Sequence, residues 1–99
     1  MEVIFRTRRL QRNYENRARA IIDWGPETGR RYAQRIDEIR RAQSMGQLYR
    51  IPAFRLHPLQ GSRAGELSIY LTGRWRLIVT MDDTTQAVII EEVSNHYDD

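Results

Sequence analysis

Two histidines, an arginine set between two apolar residues and a basic loop bounded by glycines are the side chains here that could move protons around a phosphate. His57 opens the segment His57-Pro58-Leu59-Gln60-Gly61-Ser62-Arg63-Ala64-Gly65, Arg76 sits within Trp75-Arg76-Leu77, and His96-Tyr97 lies near the end of the chain. Cutting RNA without a metal uses the RNA's own 2′-hydroxyl as nucleophile. A base must take its proton, donors must hold the phosphate oxygens, and an acid must protonate the leaving 5′-oxygen. Imidazole titrates near neutral pH, so two histidines can divide the acid and base roles. An arginine fork matches phosphate geometry and stabilises charge as it develops. Were such an RNA phosphodiester the substrate, His57 would suit the general base, Arg76 with Arg63 the phosphate ligands, and His96 the general acid. Tyr97 or Tyr70 would stack on or orient a base. Gln60, Arg74 and Asn95 complete the expected RNA- and phosphate-binding set. No cluster of His, Cys or Asp has zinc-ligand spacing, and no glycine-rich phosphate loop precedes a helix. Neither a metal nor a cofactor is expected.

Ninety-nine residues suffice for one domain, residues 1–99, with a modest core that must claim most of the large apolar side chains. The absence of cysteine excludes disulfide and thiolate chemistry. No apolar run approaches the roughly 18 residues of a membrane span, and the segment MEVIFRTRR has no signal-peptide core. The expectation is a cytoplasmic protein with no membrane partner. All sixteen basic residues are arginine. Planar guanidinium forks suit phosphates and stacked bases, although an arginine-favouring genome would give the same count. Residues 1–45 carry eleven arginines against six acids and residues 46–99 five against seven, so the first half is the basic one. That half could meet nucleic acid or an acidic protein, and net charge does not choose between them.

The elements that must position these groups follow from period and punctuation. Val3-Ile4-Phe5 reads as a short strand. After Thr7, a plausible N-cap, Leu10, Tyr14, Ala18 and Ile21 recur on one helical face. Trp24-Gly25-Pro26 ends that helix and opens a second one. The second is expected to run to about Ser44, with Tyr32, Ala33, Ile36 and Ile39 inward and Gly46 as its stop. From Phe54 the period changes to two. Phe54 and Leu56 alternate with Arg55 and His57; Leu67, Ile69 and Leu71 with Glu66, Ser68 and Tyr70; Trp75, Leu77 and Val79 with Arg74, Arg76 and Ile78. Ala87 to Val93 closes the series. The expected class is α+β: a short N-terminal strand and a helical hairpin packed on one face of a curled, mainly antiparallel sheet of about four to five strands.

The hairpin at Thr72-Gly73 carries a register argument. A three-residue loop, Thr72-Gly73-Arg74, pairs Leu71 with Trp75, Ile69 with Leu77 and Leu67 with Val79. It also sets Tyr70 opposite Arg76 and Ser68 opposite Ile78. A slip of one residue would mix charge with core, so burial selects this register. Gly73 supplies the left-handed position such loops want. Arg76 then stands beside Tyr70 on the face away from the helices, and His57 can share that face. One imidazole and one guanidinium from separate β-segments are thus expected to converge on one phosphodiester.

The block HPLQGSRAGELSIYLTGRWRLIV, His57 to Val79, resembles the central block of the RelE/ParE superfamily, and within it the HigB-type "killer protein" branch. There a His-Pro-Leu turn leads into a Gly-x-Arg-x-Gly loop, a Ser-Ile strand and Trp-Arg-Leu. The element order matches as well, so the resemblance spans nearly the whole chain, strongly from His57 to Val79 and weakly before Ile51. It implies a RelE-like fold and the toxin of a type II toxin–antitoxin system: a metal-independent endoribonuclease that cuts mRNA in the ribosomal A site and stops translation. It implies as partner a helix-turn-helix, HigA-like antitoxin, in an oligomeric complex bound to operator DNA through the antitoxin. His57 matches the branch's cleavage-site histidine, where YoeB-type toxins place a glutamate base. Arg76 matches the arginine facing the scissile phosphate, and Arg63 a basic loop position. The ending Asn95-His96-Tyr97 departs from the HigB pattern and is similar to the His-Tyr end of YoeB-type toxins. Gln60 replaces a common lysine, and Tyr70 stands where an arginine is usual. Two other readings remain open: a ParE-like toxin that poisons DNA gyrase without nuclease chemistry, and a catalytically weak adaptor that binds antitoxin or RNA.

Overall fold

The first turn of chemistry along the chain is a cap. In this computed structural model, which describes residues 1–95, the Thr7 hydroxyl accepts the Leu10 N–H at 3.2 Å and starts α1, Arg8–Glu15. The continuous helix expected across Ala18 breaks at Asn16. This residue is extended (φ −130°, ψ 99°), and its side chain accepts the Ala18 N–H to start α2, Arg17–Trp24. Asparagine competes for backbone donors in this way and favours caps over helix interiors. The break shifts the buried face to Leu10, Asn13 and Ala20, and leaves Ala18 exposed.

Pro26 then opens α3, Pro26–Arg41. Tyr32, Ala33, Ile36 and Ile39 are buried in it, as the helical spacing requires. α3 ends three residues before the expected Ser44, and Gly46 does not stop a helix. Ser44 instead caps a further short helix, α4, Met45–Tyr49, by accepting the Gln47 N–H at 3.3 Å. The close crossing of α2 and α3 depends on Gly29, where an added Cβ would lie 2.8 Å from Ile21 N and 2.9 Å from Ala20 C.

Five strands complete the chain: β1 (Val3–Phe5), β2 (His57–Pro58), β3 (Leu67–Thr72), β4 (Trp75–Met81) and β5 (Val88–Ser94). They form one sheet in the order β1-β5-β4-β3-β2. β1 lies parallel to β5 and the other pairs are antiparallel. The strand expected to include Phe54 and Leu56 is much shorter. Pro52–Phe54 winds into a 3₁₀ turn, and only His57 and Pro58 pair with β3. Pro52 presets the turn and Phe54 is fully buried by it.

The β3–β4 register agrees with the expected one from Leu67↔Val79 through Tyr70↔Arg76. It departs at the tip, where Thr72 rather than Leu71 pairs with Trp75. Leu71 is the extra residue of a bulge, which carries Thr72 to the helix side. There its hydroxyl meets Thr28 at 2.6 Å. Gly73 takes φ +50° at the turn, a value that side chains rarely adopt. A second bulge leaves Glu91 without a partner across the ladder and re-aims its carboxylate. It receives both the Arg6 fork, at 2.9 and 2.8 Å, and the Thr80 hydroxyl, at 2.6 Å.

The core lies between the helices and one face of the sheet. It unites Leu10, Tyr32, Ile36 and Ile39 with Ile69, Leu71, Leu77, Val79, Val88 and Ile90. Tyr14, Trp24 and Trp75 pack against it half-buried. No described helix is long and apolar enough to cross a membrane.

Two outcomes follow from this packing. Gly29→Ala forces backbone apart at the α2–α3 crossing and should lower unfolding stability by about 1–3 kcal/mol, measured by urea titration; an unchanged midpoint would show that the crossing relaxes freely. The second concerns acid. Hydrogen bonds from Asn13 and Arg9 hold the Asp23 carboxyl below the usual carboxylate range, and the Arg6 fork with Thr80 does the same for Glu91. Groups depressed on folding contribute stability above their unfolded pKa of about 4 and lose it as pH falls through the folded value. Unfolding curves between pH 6 and 3 should therefore drop more steeply for the wild type than for the Asp23→Asn, Glu91→Gln double variant. Parallel curves would remove these two carboxyls as the cause.

Candidate functional site

Alternation places one polar row after another on the sheet face that carries no helix. His57 on β2 faces Ser68, Ser68 faces Ile78, and Ile78 faces Glu92. The adjacent row holds Tyr70, Arg76 and Ser94. His57 and Arg76 share this face, two strands apart, which at ordinary strand spacing is about 10 Å across the sheet.

The loop before β2 sets the histidine. Arg55 ends the 3₁₀ turn in the left-handed region (φ 44°, ψ 41°), a conformation that costs a side-chain-bearing residue on the order of 1–3 kcal/mol. Its carbonyl lies 2.9 Å from His57 Nδ1. A carbonyl only accepts, so Nδ1 carries the proton, and the lone pair of a neutral ring falls on Nε2. That is the tautomer a general base needs. His57 is half-buried, and its Nε2 is closed off from solvent in this conformation. Directly across the ladder, the buried Ser68 hydroxyl has no hydrogen-bond partner among the described residues.

Tyr70 is the platform of the second row. Its hydroxyl accepts the Gly73 N–H at 3.0 Å, which fixes the ring toward the hairpin turn. Two guanidinium carbons lie close to that ring, Arg55 Cζ at 4.5 Å and Arg76 Cζ at 4.9 Å from its centroid. Both distances are within cation–π range. The expectation of an open Arg76 needs correcting in one respect: the residue is 5% exposed. Its Nη1 donates to the carbonyls of Gly73 and Trp75, at 2.8 and 3.1 Å. The head is thereby directed toward the turn, away from the His57 row.

Arg63 stands in a different setting from the one expected for a phosphate ligand. Its Nε donates to Glu66 at 2.7 Å and its Nη2 to Glu92 at 3.3 Å. Reaching Glu92 from the β2–β3 connection takes the side chain across β3 and β4. It becomes a strap over the face, with carboxylates balancing its charge. Ser68 and Ile78 are 1% and 3% exposed beneath this region, which explains why a face without helices is still partly closed. Of the other expected contacts, Gln60 and Arg74 are exposed in the loop and the hairpin turn, and Asn95 is exposed just after β5. His96 and Tyr97 lie outside the described residues.

Arg55 is the residue that sequence reasoning passed over. Alternating with Phe54 and Leu56, it reads as an ordinary exposed arginine. The one signal available was position, two residues before His57 and directly after a buried aromatic.

No protein-family model and no curated protein matches the sequence. Solved structures do match in shape. A YoeB/ParE toxin from Agrobacterium tumefaciens superposes with a TM-score of 0.59 at 18% identity, covering 98% of this chain and all of that one. A YoeB-YefM complex from Staphylococcus aureus matches with a TM-score of 0.56 at 17% identity, covering 98% of each chain. With a five-stranded sheet, a helical layer on one face and end-to-end correspondence to both structures, the chain has the fold of these YoeB/ParE toxin structures.

Proposed function

We propose that this chain is the toxin of a type II toxin–antitoxin pair and acts as a metal-independent endoribonuclease on mRNA. The observation that carries the reading is the His57 ring, held in the base-competent tautomer by the Arg55 carbonyl on the face that also bears the Tyr70–Arg76 stack. The similarity to a YoeB-YefM complex supports a cognate antitoxin as partner. The HigB-like motif supports a helix-turn-helix antitoxin and mRNA in the ribosomal A site as the substrate.

In this mechanism RNA lies across the helix-free face, with a base against Tyr70. His57 Nε2 takes the 2′-hydroxyl proton, and the oxygen attacks the adjacent phosphorus. Because Nε2 is shielded in the unliganded conformation, the surrounding side chains must yield locally as RNA enters. Arg76, whose head is held toward the hairpin turn by the Gly73 and Trp75 carbonyls in the unliganded conformation, must turn from them to balance the charge that grows on the phosphate oxygens. His96, near Tyr97, protonates the departing 5′-oxygen. The products are a 2′,3′-cyclic phosphate and a 5′-hydroxyl, and neither the protein nor the RNA is oxidised or reduced.

The test is induction in growing cells, combined with a translation extract programmed with a reporter mRNA and mapped for cut sites. Wild type should arrest growth and cut the message. His57→Ala and Arg76→Ala should each lower the cleavage rate by about 10²–10⁴-fold, and His96→Ala tests the acid separately. Toxicity undiminished by both His57→Ala and Arg76→Ala, in folded protein, would eliminate the mechanism. Filamentation with DNA-damage signalling and intact mRNA would indicate a gyrase poison instead, and harmless overexpression a binding adaptor.

A further inference from the structure

We infer that Arg55 is a phosphate-binding residue for single-stranded RNA at this site, gripping a backbone phosphate beside the one that is cut. The inference rests on the nuclease reading above and adds a residue that neither the motif nor the alternation pointed to. Three features of its position converge. Its guanidinium carbon lies 4.5 Å from the Tyr70 ring centroid, within cation–π range. The residue is exposed, and among the described residues no carboxylate pairs with it, whereas Arg63 on the same face is balanced by Glu66 and Glu92. Its left-handed backbone is what allows one residue to place its carbonyl on His57 and its side chain over Tyr70.

Stacking orders a guanidinium before a ligand arrives, and a planar fork matches two phosphate oxygens. A flat cation seated on an aromatic ring is therefore suited to a phosphodiester backbone whose bases also stack. Since the Arg55 carbonyl holds the His57 ring, a phosphate drawn to Arg55 brings the neighbouring 2′-hydroxyl toward that ring. The contribution is to binding, and the proton transfer remains with His57.

The experiment uses the full-length protein, a short fluorescent single-stranded RNA, and the same mapped translation extract. Arg55→Asn and Arg55→Gly both accept the left-handed backbone, so either one keeps the carbonyl in place if the other misfolds. Each should weaken RNA binding about tenfold and lower the slope of log affinity against log salt by about 0.7, one phosphate contact on a single strand. At saturating programmed ribosomes the cleavage rate should stay within about threefold of wild type, so KM moves and kcat does not. Arg55→Lys, which keeps the charge without the planar stack, should restore the salt slope and part of the affinity.

Unchanged affinity and salt slope in both the Asn and Gly variants would overturn the assignment. So would a loss confined to the maximal rate, which would make Arg55 a positioning residue for His57 alone. Because binding is read separately from cutting, a wild type that binds RNA through Arg55 but never cuts it refutes the nuclease reading while leaving the phosphate contact intact.

Discussion

Everything on the helix-free face is held in place from the other side of the sheet by one buried cation. Arg35 on α3 is 2% exposed, and each of its three nitrogens is committed. Nε donates to the Tyr70 carbonyl at 3.1 Å, Nη2 to the Ala53 carbonyl at 3.1 Å, and Nη1 to Glu38 at 2.9 Å. Its Cζ lies 4.9 Å from the Phe54 ring centroid. A buried guanidinium is tolerated only when its donors are met in this way. One head group therefore fixes three elements at once: the helix, β3 at the start of its bulge, and the turn that presents Arg55 and His57. Arg31 reinforces the same region by reaching the Leu71 carbonyl at 3.4 Å. The bulge leaves strand carbonyls facing the helix layer, and arginines of α3 supply the donors they would otherwise lack.

With that frame set, charge on the opposite face is sorted by distance to carboxylates. Arg63 spends its donors on Glu66 and Glu92 and covers the strands beneath. Arg76 is bound into the hairpin turn by two backbone carbonyls. Arg55 remains exposed beside the Tyr70 ring and, among the described residues, without an acid. Three arginines of one type thus fill three physical roles, and the difference lies in their surroundings. Tyr70 links two of them. Its ring is shared by Arg55 and Arg76, and its carbonyl is taken by Arg35. An arginine at position 70 would add positive charge to a face that already has three cations; a tyrosine there supplies a surface for them to stack on.

The shape persists in the structural neighbours at 17–18% identity, because a two-layer sandwich asks for apolar periodicity and turns more than for particular residues. Function asks for more than that, and it resides in the site grafted onto the fold. In this chain Tyr70 offers a ring to two guanidinium groups, Arg55 and Arg76.

What the sequence determined by itself is what local pattern encodes. Alternation with period two marked β3 and β4, and the penalty for burying charge selected their register up to Tyr70 and Arg76. The spacing of Tyr32, Ala33, Ile36 and Ile39 gave the inward face of α3, and Thr7 announced its cap. The shared face of His57, Tyr70 and Arg76 followed from that register. Tertiary structure decided the rest. Leu71 became a bulge because Thr72 had a buried hydroxyl partner on α3. Arg63 is claimed by Glu92, 29 residues further along the chain, and Arg55 lies against Tyr70 in a structure where β2 pairs with β3. Period and capping are written within a few residues of one another, so they can be read in order. The partner of a charge is chosen by proximity after the chain has folded, and no local pattern carries that information.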